Sequence, residues 1–129
     1  MAKKKKYQFE FLIKVSPAML HKYLTAPSAL AQWFADDVVF RGGNYIFIWG
    51  DSEERAKLTR NKKNERVRFQ WLDQEGKETE YYTEFKILVD ELTDDVSLLI
   101  TDFSDDNEEE TLMLWENMVD DLKHILGVG

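Results

Sequence analysis

The chain has 129 residues and no cysteine, so it is long enough to bury a core as one domain, and disulfide and thiol chemistry are excluded. Its formal net charge of −8 at pH 7 argues against a general nucleic-acid binder, because an acidic surface repels the phosphate backbone. It lacks a signal-peptide pattern and any apolar run of the roughly 18–20 residues that cross a bilayer, so we expect a cytoplasmic protein without integral membrane association.

The first residues predict a charged leader followed by a strand. Residues 1–6 include consecutive lysines from Lys3 to Lys6, and we expect them to form a flexible, solvated segment. From Tyr7 to Val15 every second residue is apolar, which is typical of a strand with one buried face. We therefore divide the chain into a leader over residues 1–6 and a single domain over residues 7–129.

Two short helices are predicted after this strand. Ser16 is a good N-cap, and Pro17 suits the first helical position, so a helix should run from about residue 18 to residue 24. Pro27 breaks this helix because proline cannot continue it. We expect Ser28 to cap a second short helix that ends near Phe34.

Six strand-like segments follow, separated by turn residues. Gly42-Gly43 predicts a tight turn between the first two, and residues 67–71 alternate cleanly between apolar and polar side chains. Short strands at even spacing predict an antiparallel meander. The expected strands lie near residues 38–40, 45–49, 55–60, 67–71, 81–89 and 96–100.

The last segment predicts one long amphipathic helix. Apolar residues recur at three- and four-residue spacing between Leu112 and Leu126, acidic residues 108–110 precede or open the helix, and Gly127 suits its C-terminus. A sheet with one apolar face needs a cover, which this helix can supply. The predicted class is therefore α+β: a curved antiparallel sheet of about six to seven strands, two short helices after strand 1, and a long C-terminal helix packed across the sheet.

Several short motifs occur in an order that is typical of one superfamily. They are Ser16-Pro17 after the first strand, Trp33-Phe34, Gly42-Gly43 before an aromatic strand, Phe69-Gln70-Trp71, and Trp115 early in the last helix. This set resembles the START-like, or SRPBCC, superfamily with the helix-grip fold of the birch pollen allergen. The nearer branch resembles chaperone-ATPase activators and small bacterial single-domain proteins. Where many relatives carry a glycine-rich approach to the last helix, residues 102–110 of this chain are mostly acidic.

The resemblance implies a ligand cavity between the sheet and the C-terminal helix. A ring-lined cavity favours a small hydrophobic molecule, such as a lipid or an aromatic metabolite, because its apolar surface is buried there. The alternative is that the same rings simply fill the core. Tyr45, Tyr81, Tyr82 and Thr83 are candidates for the polar groups that would orient a ligand. The residues expected to bind it are Trp33, Phe34, Phe47, Trp49, Phe69, Trp71, Tyr81, Phe85, Trp115 and Met118.

The sequence gives no pattern for catalysis or for a metal. His21 and His124 have no local nucleophile or metal-ligand partner. A calcium loop starting at Asp102 would place Asn107 where glycine is needed and Met113 where a bidentate glutamate is needed. We therefore expect no catalytic residue, no metal and no cofactor, and we interpret the acidic stretch as a solvated approach to the helix.

Three functions are compatible with these patterns. The first is a non-enzymatic binding module for a small hydrophobic molecule. The second is a protein-interaction module of the chaperone-ATPase-activator type, in which the basic stretch from Arg55 to Arg68, predicted to form a solvated hairpin, docks on an acidic partner. The third is a cyclase- or hydrolase-like enzyme, ranked last because no acid–base pair is visible. The oligomeric state is not encoded in any of these patterns.

Overall fold

The strands form one antiparallel sheet in a computed structural model that describes residues 3–128. Seven strands lie in the order β1-β7-β6-β5-β4-β3-β2, so β2 to β7 form a meander and the first strand lies beside the last. The elements are β1 (Lys5–Leu12), α1 (Pro17–Thr25), α2 (Pro27–Trp33), β2 (Asp37–Arg41), β3 (Asn44–Trp49), β4 (Ser52–Lys62), β5 (Arg66–Leu72), β6 (Glu78–Val89), β7 (Val96–Ser104) and α3 (Glu108–Leu126).

The predicted fold class is confirmed. The sheet is curved, two short helices follow the first strand, and the long last helix packs its apolar side into the same core as the sheet. Gly42 and Gly43 form the predicted turn between β2 and β3, with φ values of 62° and 83°. Both residues are in the left-handed region that a type I′ hairpin turn requires and that glycine adopts without a steric penalty.

The start of the sheet differs from the prediction. β1 begins at Lys5, and Lys5 and Lys6 pair with Ser104 and Phe103 of β7. Two residues of the predicted leader therefore belong to the sheet, because β7 is long enough to offer them backbone partners. Residues 1–2 lie outside the described residues, and the flexibility of the leader stays a prediction.

The first short helix begins as predicted, but the second does not. The Ser16 hydroxyl oxygen accepts a hydrogen bond from the Met19 backbone N–H at 3.2 Å. The second helix has Ala26 as its N-cap, with Pro27 at the first helical position and no side-chain cap. The prediction that Ser28 caps this helix was wrong, because Pro27 already has the φ angle of a first helical residue and Ser28 falls inside the first turn.

The long helix α3 is fixed at both ends. The Asn107 side-chain oxygen accepts from the Glu110 backbone N–H at 2.8 Å, and Gly127 ends the helix in the left-handed conformation. Trp115, Val119 and Leu122 are buried on the side that faces the core. Within residues 3–128, no helix is both long enough and apolar enough to cross a membrane.

Truncating Leu122 to alanine tests the packing of α3 against the core. Leu122 is fully buried, so Leu122→Ala should leave a cavity and lower the free energy of unfolding by about 2–5 kcal/mol. Urea unfolding followed by tryptophan fluorescence measures this loss. Leu92→Ala is the matched control, because Leu92 is 95% exposed and its loss should change stability by about 0.5 kcal/mol or less. Equal urea midpoints for the two variants would contradict the placement of α3.

Candidate functional site

A cleft of about 440 Å³ opens between α3 and one end of the sheet. Its walls are mainly aromatic and aliphatic, with a small number of polar groups among them. The rings are Phe34, Trp49, Trp71, Tyr81, Phe103 and Trp115. The polar and charged side chains are Lys4, Glu54, Thr79, Thr83 and Asp102, and Leu72, Leu114 and Met118 complete the lining.

The structure divides the ten predicted site residues into two groups. Phe34, Trp49, Trp71, Tyr81, Trp115 and Met118 line the cleft. Trp33, Phe47, Phe69 and Phe85 are absent from that lining and pack against one another and their neighbours inside the core. Phe34 and Trp115 belong to both, since they line the cleft but are only 4% and 2% exposed. The interior is therefore filled over part of its length and open at one end. That the first group binds a ligand stays a prediction.

Trp71 reaches the cleft at an irregularity in the sheet. The pairing of β5 with β6 shifts register between Gln70 and Leu72, which is a β-bulge or a similar irregularity. The Gln70 side-chain amide compensates by donating to the Thr79 and Tyr81 carbonyl oxygens at 2.7 and 2.9 Å. The extra residues belong to β6, where residues 79–81 face the single residue Trp71, and Trp71 keeps the inward direction of Val67 and Phe69 through the two-residue alternation of β5.

A chain of hydrogen bonds connects four elements at the floor of the cleft. The Trp71 indole Nε1 of β5 donates to the Thr83 hydroxyl oxygen of β6 at 2.9 Å. The Thr83 hydroxyl in turn donates to Oδ1 of Asp102 in β7 at 2.9 Å. The Trp115 indole Nε1 of α3 donates to Oδ2 of the same carboxylate at 3.0 Å. The polar network centred on Asp102 therefore connects three strands and the helix α3.

Asp102 is the most perturbed acid in the cleft. Burial raises its pKa above the ordinary aspartate range, while hydrogen bonds from Thr83, Trp115 and the Phe103 backbone N–H and the charge of Lys4 act in the opposite direction. Desolvation disfavours the ionised form, and donors and a nearby cation favour it. A carboxyl with a shifted pKa in a cleft is one mark of a functional site.

A lysine lies at the same end of the cleft. The Nζ atom of Lys4 lies 5.3 Å from the centre of the Tyr81 ring, a cation–π distance, and the Lys4 backbone N–H donates to the Tyr81 hydroxyl at 3.4 Å. Glu54 of β4 adds an exposed carboxylate to the lining. The charged groups of the cleft are therefore two acids and one base.

Asp102 lines the cleft but is not among the predicted site residues. The sequence predicts a solvated acidic approach at this position, but β7 continues to Ser104 and includes Asp102. The signal was present: Val96, Leu98 and Ile100 alternate on the inner face, and the same period of two places Asp102 next in that row. The acidic composition of the following residues concealed this alternation.

Two of the four polar groups that were predicted to orient a ligand, Tyr45 and Tyr82, lie outside the cleft. The Tyr45 hydroxyl is in the core, where it donates to the Thr25 carbonyl at 2.7 Å. Tyr82 stacks under the guanidinium of Arg68, 3.9 Å from the ring centre. Tyr81 and Thr83 do line the cleft. Among the described residues, no group of three or more histidine, cysteine, aspartate or glutamate side chains is placed to hold a metal ion.

The basic stretch is solvated except near its end. Arg68 donates to the buried Glu84 carboxylate at 2.8 Å, so the prediction of a fully solvated hairpin was wrong for this residue. Arg68 of β5 is paired with Glu84 of β6 in the register of the two strands, which brings the two charges together. Further along, a separate groove of about 560 Å³ has four basic side chains in its lining: Arg60, Lys62, Arg66 and Lys86.

Comparison with known families agrees with this architecture. A family model described as a START-like superfamily domain matches residues 1–128. The chain belongs to the START-like superfamily. The resemblance inferred from the sequence motifs is thereby confirmed. No curated protein matches the chain in sequence.

Solved structures similar to this START-like domain come from several bacteria. The Bacteroides fragilis protein BfR322 is 33% identical, covers 97% of this chain and 93% of its own, and has a TM-score of 0.63. The Aha1 dimer of Colwellia psychrerythraea has a TM-score of 0.74 at 17% identity, covering 92% of this chain and 93% of that chain. MLL2253 of Mesorhizobium loti reaches 0.75 at 14% identity, covering 95% and 97%. The last two likenesses show the fold alone.

The hydrogen bond from Trp115 to Asp102 predicts a titrating indole resonance. As the pH falls, protonation of Asp102 replaces a charged acceptor with a neutral one, so the Trp115 Nε1–H signal should move upfield. Its midpoint should lie above the ordinary aspartate pKa, because burial raises the pKa of Asp102. Two-dimensional ¹⁵N–¹H NMR measures it, since the indole N–H signals are resolved from the backbone.

Trp33 provides the internal control for this titration, because its indole donates to the Tyr23 carbonyl and should not respond. In Asp102→Asn the chemical shift of the Trp115 indole should no longer depend on pH in this range.

The raised pKa also means that Asp102 binds its proton more tightly in the folded than in the unfolded chain. Wild-type stability should therefore fall relative to Asp102→Asn as the pH rises through the folded-state pKa. A Trp115 midpoint at or below the ordinary aspartate value would refute the assigned environment.

Proposed function

We propose that this START-like domain is a non-enzymatic binding module for a small hydrophobic molecule, a lipid or an aromatic metabolite, held in the cleft between the sheet and α3. The observation that carries the proposal is a cleft of about 440 Å³ whose walls are mostly rings, with a few converging polar groups. Ligand pockets in proteins occupy about 300–1,000 Å³ and combine apolar walls with few polar anchors.

The packing around the cleft supports an aromatic or aliphatic body in the ligand. Phe34 stacks on Trp115 with ring centres 5.8 Å apart and lies 5.3 Å from the ring of Trp49. The Trp49 indole is held in place because its Nε1 donates to the Phe34 carbonyl at 2.8 Å. Rings whose orientation is fixed by packing and by hydrogen bonds lose little entropy on binding, so they form a preorganised apolar surface.

The polar groups support an orienting role more strongly than a catalytic one. The ionisable side chains that line the cleft are Lys4, Glu54, Tyr81 and Asp102. Asp102, the perturbed one, accepts hydrogen bonds on both carboxylate oxygens from Thr83 and Trp115. An acid fixed by several donors is suited to hold a ligand group in one orientation.

Leu114→Trp should block the cleft without disturbing the core. Leu114 lies on α3 at the cleft lining and is 54% exposed, so a larger ring there should fill the opening rather than overpack the interior. The probe is N-phenyl-1-naphthylamine, a neutral dye that fluoresces in apolar surroundings. We expect the variant to lose dye affinity by about tenfold or more, which corresponds to about 1.4 kcal/mol.

Met113→Trp is the matched control for this substitution. Met113 is the preceding residue of α3, is 58% exposed and is absent from the cleft lining, so the same ring should leave dye binding unchanged. Urea unfolding of both variants checks that stability is retained. Wild-type protein that does not bind the dye, and whose native and denatured masses reveal no co-purified small molecule, would count against a carrier.

A second candidate function is docking on an acidic protein surface, as in an interaction module of the chaperone-activator type. The observation that favours it is the groove with Arg60 and Lys62 from β4, Arg66 from β5 and Lys86 from β6. These four basic side chains outnumber the one acid of the lining, Glu65, which pairs with Lys62 at 3.2 Å, so the groove carries a net positive charge on an otherwise acidic chain.

Poly-L-glutamate serves as the probe for this second function. Arg60→Glu should weaken its binding by about threefold or more at low ionic strength, with the effect shrinking as salt is added. Arg55→Glu is the control, because Arg55 is exposed on the same strand, lies outside the groove and changes the net charge equally. Fluorescence anisotropy of a labelled polymer measures both. Identical losses in the two variants would reject the groove as the docking site.

A further inference from the structure

The cleft contains the components of a cation-binding site. Aromatic rings attract a positive charge through their electron-rich faces, and a carboxylate supplies a counter-ion. Here Trp71 and Tyr81 lie in one lining with Asp102. Glu54 contributes a second acid to the same lining.

Asp102 has acceptor capacity beyond the donors that the protein supplies. A carboxylate offers about four lone-pair sites on its two oxygens. The Thr83 hydroxyl and the Trp115 indole N–H each donate to one of these oxygens. These two donors hold the carboxylate in a fixed orientation, and a ligand group that donates a hydrogen bond or carries a positive charge can interact with the remaining lone pairs.

A cation of the chain itself already uses this end of the cleft. The Lys4 ammonium lies 5.3 Å from the centre of the Tyr81 ring, and its charge lowers the pKa of Asp102. Lys4 precedes the first residue of β1, and its side chain is exposed. A lysine on a long, exposed side chain is readily displaced, because it is strongly hydrated and gains little from a solvent-facing contact.

We propose, as an extension of the binding function above, that the ligand of the cleft is an amphiphile with a positively charged nitrogen, a protonated or quaternary amine, on an apolar body. Asp102 is its counter-ion, the neighbouring rings receive the charge and the apolar body, and Lys4 takes the place of the ligand's cation when the cleft is empty. Lys4 therefore leaves this position when the ligand binds.

A neutral ligand fits the same cleft less well. Covering Asp102 with an apolar molecule removes the remaining water from the carboxylate without replacing it, and an unpaired buried charge is strongly unfavourable. A neutral ligand therefore binds more weakly while Asp102 is ionised, and its affinity should rise as the pH falls through the pKa of Asp102. A cationic ligand pairs with the ionised carboxylate, so its affinity should rise as the pH rises through the pKa of Asp102.

Two probes of equal shape separate these cases. One is naphthylmethyl-trimethylammonium, and the other is its neutral isostere with a tert-butyl group in place of the trimethylammonium. At pH 7.5 the cationic probe should bind the wild type about tenfold more tightly than the neutral probe. The dissociation constants are measured from ¹⁵N-NMR shifts of the Trp71 and Trp115 indole N–H groups, which also show that binding occurs in the cleft.

Asp102→Asn should abolish the preference for the cation, bringing the affinity ratio to about one while neutral-probe binding is retained. Asp120→Asn is the matched control: it removes an equal charge from an exposed position on α3, outside the cleft, and should keep the tenfold ratio. Lys4→Ala should tighten binding of the cationic probe by about threefold, because it removes the internal competitor. Equal affinities in the wild type, or a ratio that survives Asp102→Asn, would overturn the proposal.

The pH dependence of the wild type keeps the proposal testable if Asp102→Asn does not fold. The cation-to-neutral ratio should fall as Asp102 is protonated; the other ionisable groups that face the cleft are Lys4, Glu54 and Tyr81. The Trp115 indole titration identifies the step that belongs to Asp102, and a ratio independent of that step would refute the pairing. If both probes bind with equal affinity, the hydrophobic-ligand function stands and the cation proposal fails. If neither probe binds, both fail.

Discussion

The indole of Trp115 joins the helix to the sheet both by packing and by a hydrogen bond. Its ring lies 5.8 Å from Phe34 and 5.9 Å from Phe85, and its Nε1–H reaches Asp102 on β7. These contacts fix the rotation of α3 about its axis. Residues four apart lie on the same side of a helix, so the rotation that buries Trp115 also buries Val119. The same rotation places Leu114 beside the buried side of the helix, at the lining of the cleft. The core and the cleft therefore depend on one side chain.

The same inner face of the sheet is filled in one part and open in another because its side chains differ in volume. Phe47, Phe69 and Phe85 lie on β3, β5 and β6 and are fully buried against one another. Towards the end of the sheet, β6 and β7 present Thr83 and Asp102 on that face, and these short polar side chains leave space beneath α3. The polar residues thus create the cleft as well as its chemistry. A larger apolar residue at either place would close it by the same packing that fills the middle of the sheet.

Sequence periodicity was sufficient for the elements, because a strand repeats every two residues and a helix about every 3.6. It was insufficient wherever the outcome depends on contacts between distant segments. The ion pair of Arg68 with Glu84 requires the register of β5 against β6, which no local pattern specifies. The residues after Asp102 are mostly acidic, which predicts a solvated segment. One further step of the two-residue alternation along β7 predicts instead that Asp102 lies on the inner face of the sheet. The division of ten aromatic and apolar candidates between core and cleft depends on sheet curvature and on which side chains meet across the strands, neither of which is encoded in residue spacing.

The carboxylate of Asp102 has a structural role as well as the proposed role in ligand binding. Its two oxygens accept from the Thr83 hydroxyl and from the Trp115 indole N–H, whereas an amide has one oxygen and could accept only one of these donors in the same arrangement. Burial of this carboxylate carries a desolvation penalty, and the same burial raises its pKa. That unfavourable energy is relieved when a cation arrives, so part of the binding free energy is stored in the unliganded protein. Lys4 provides partial relief in the meantime, from a position at which a ligand can replace it.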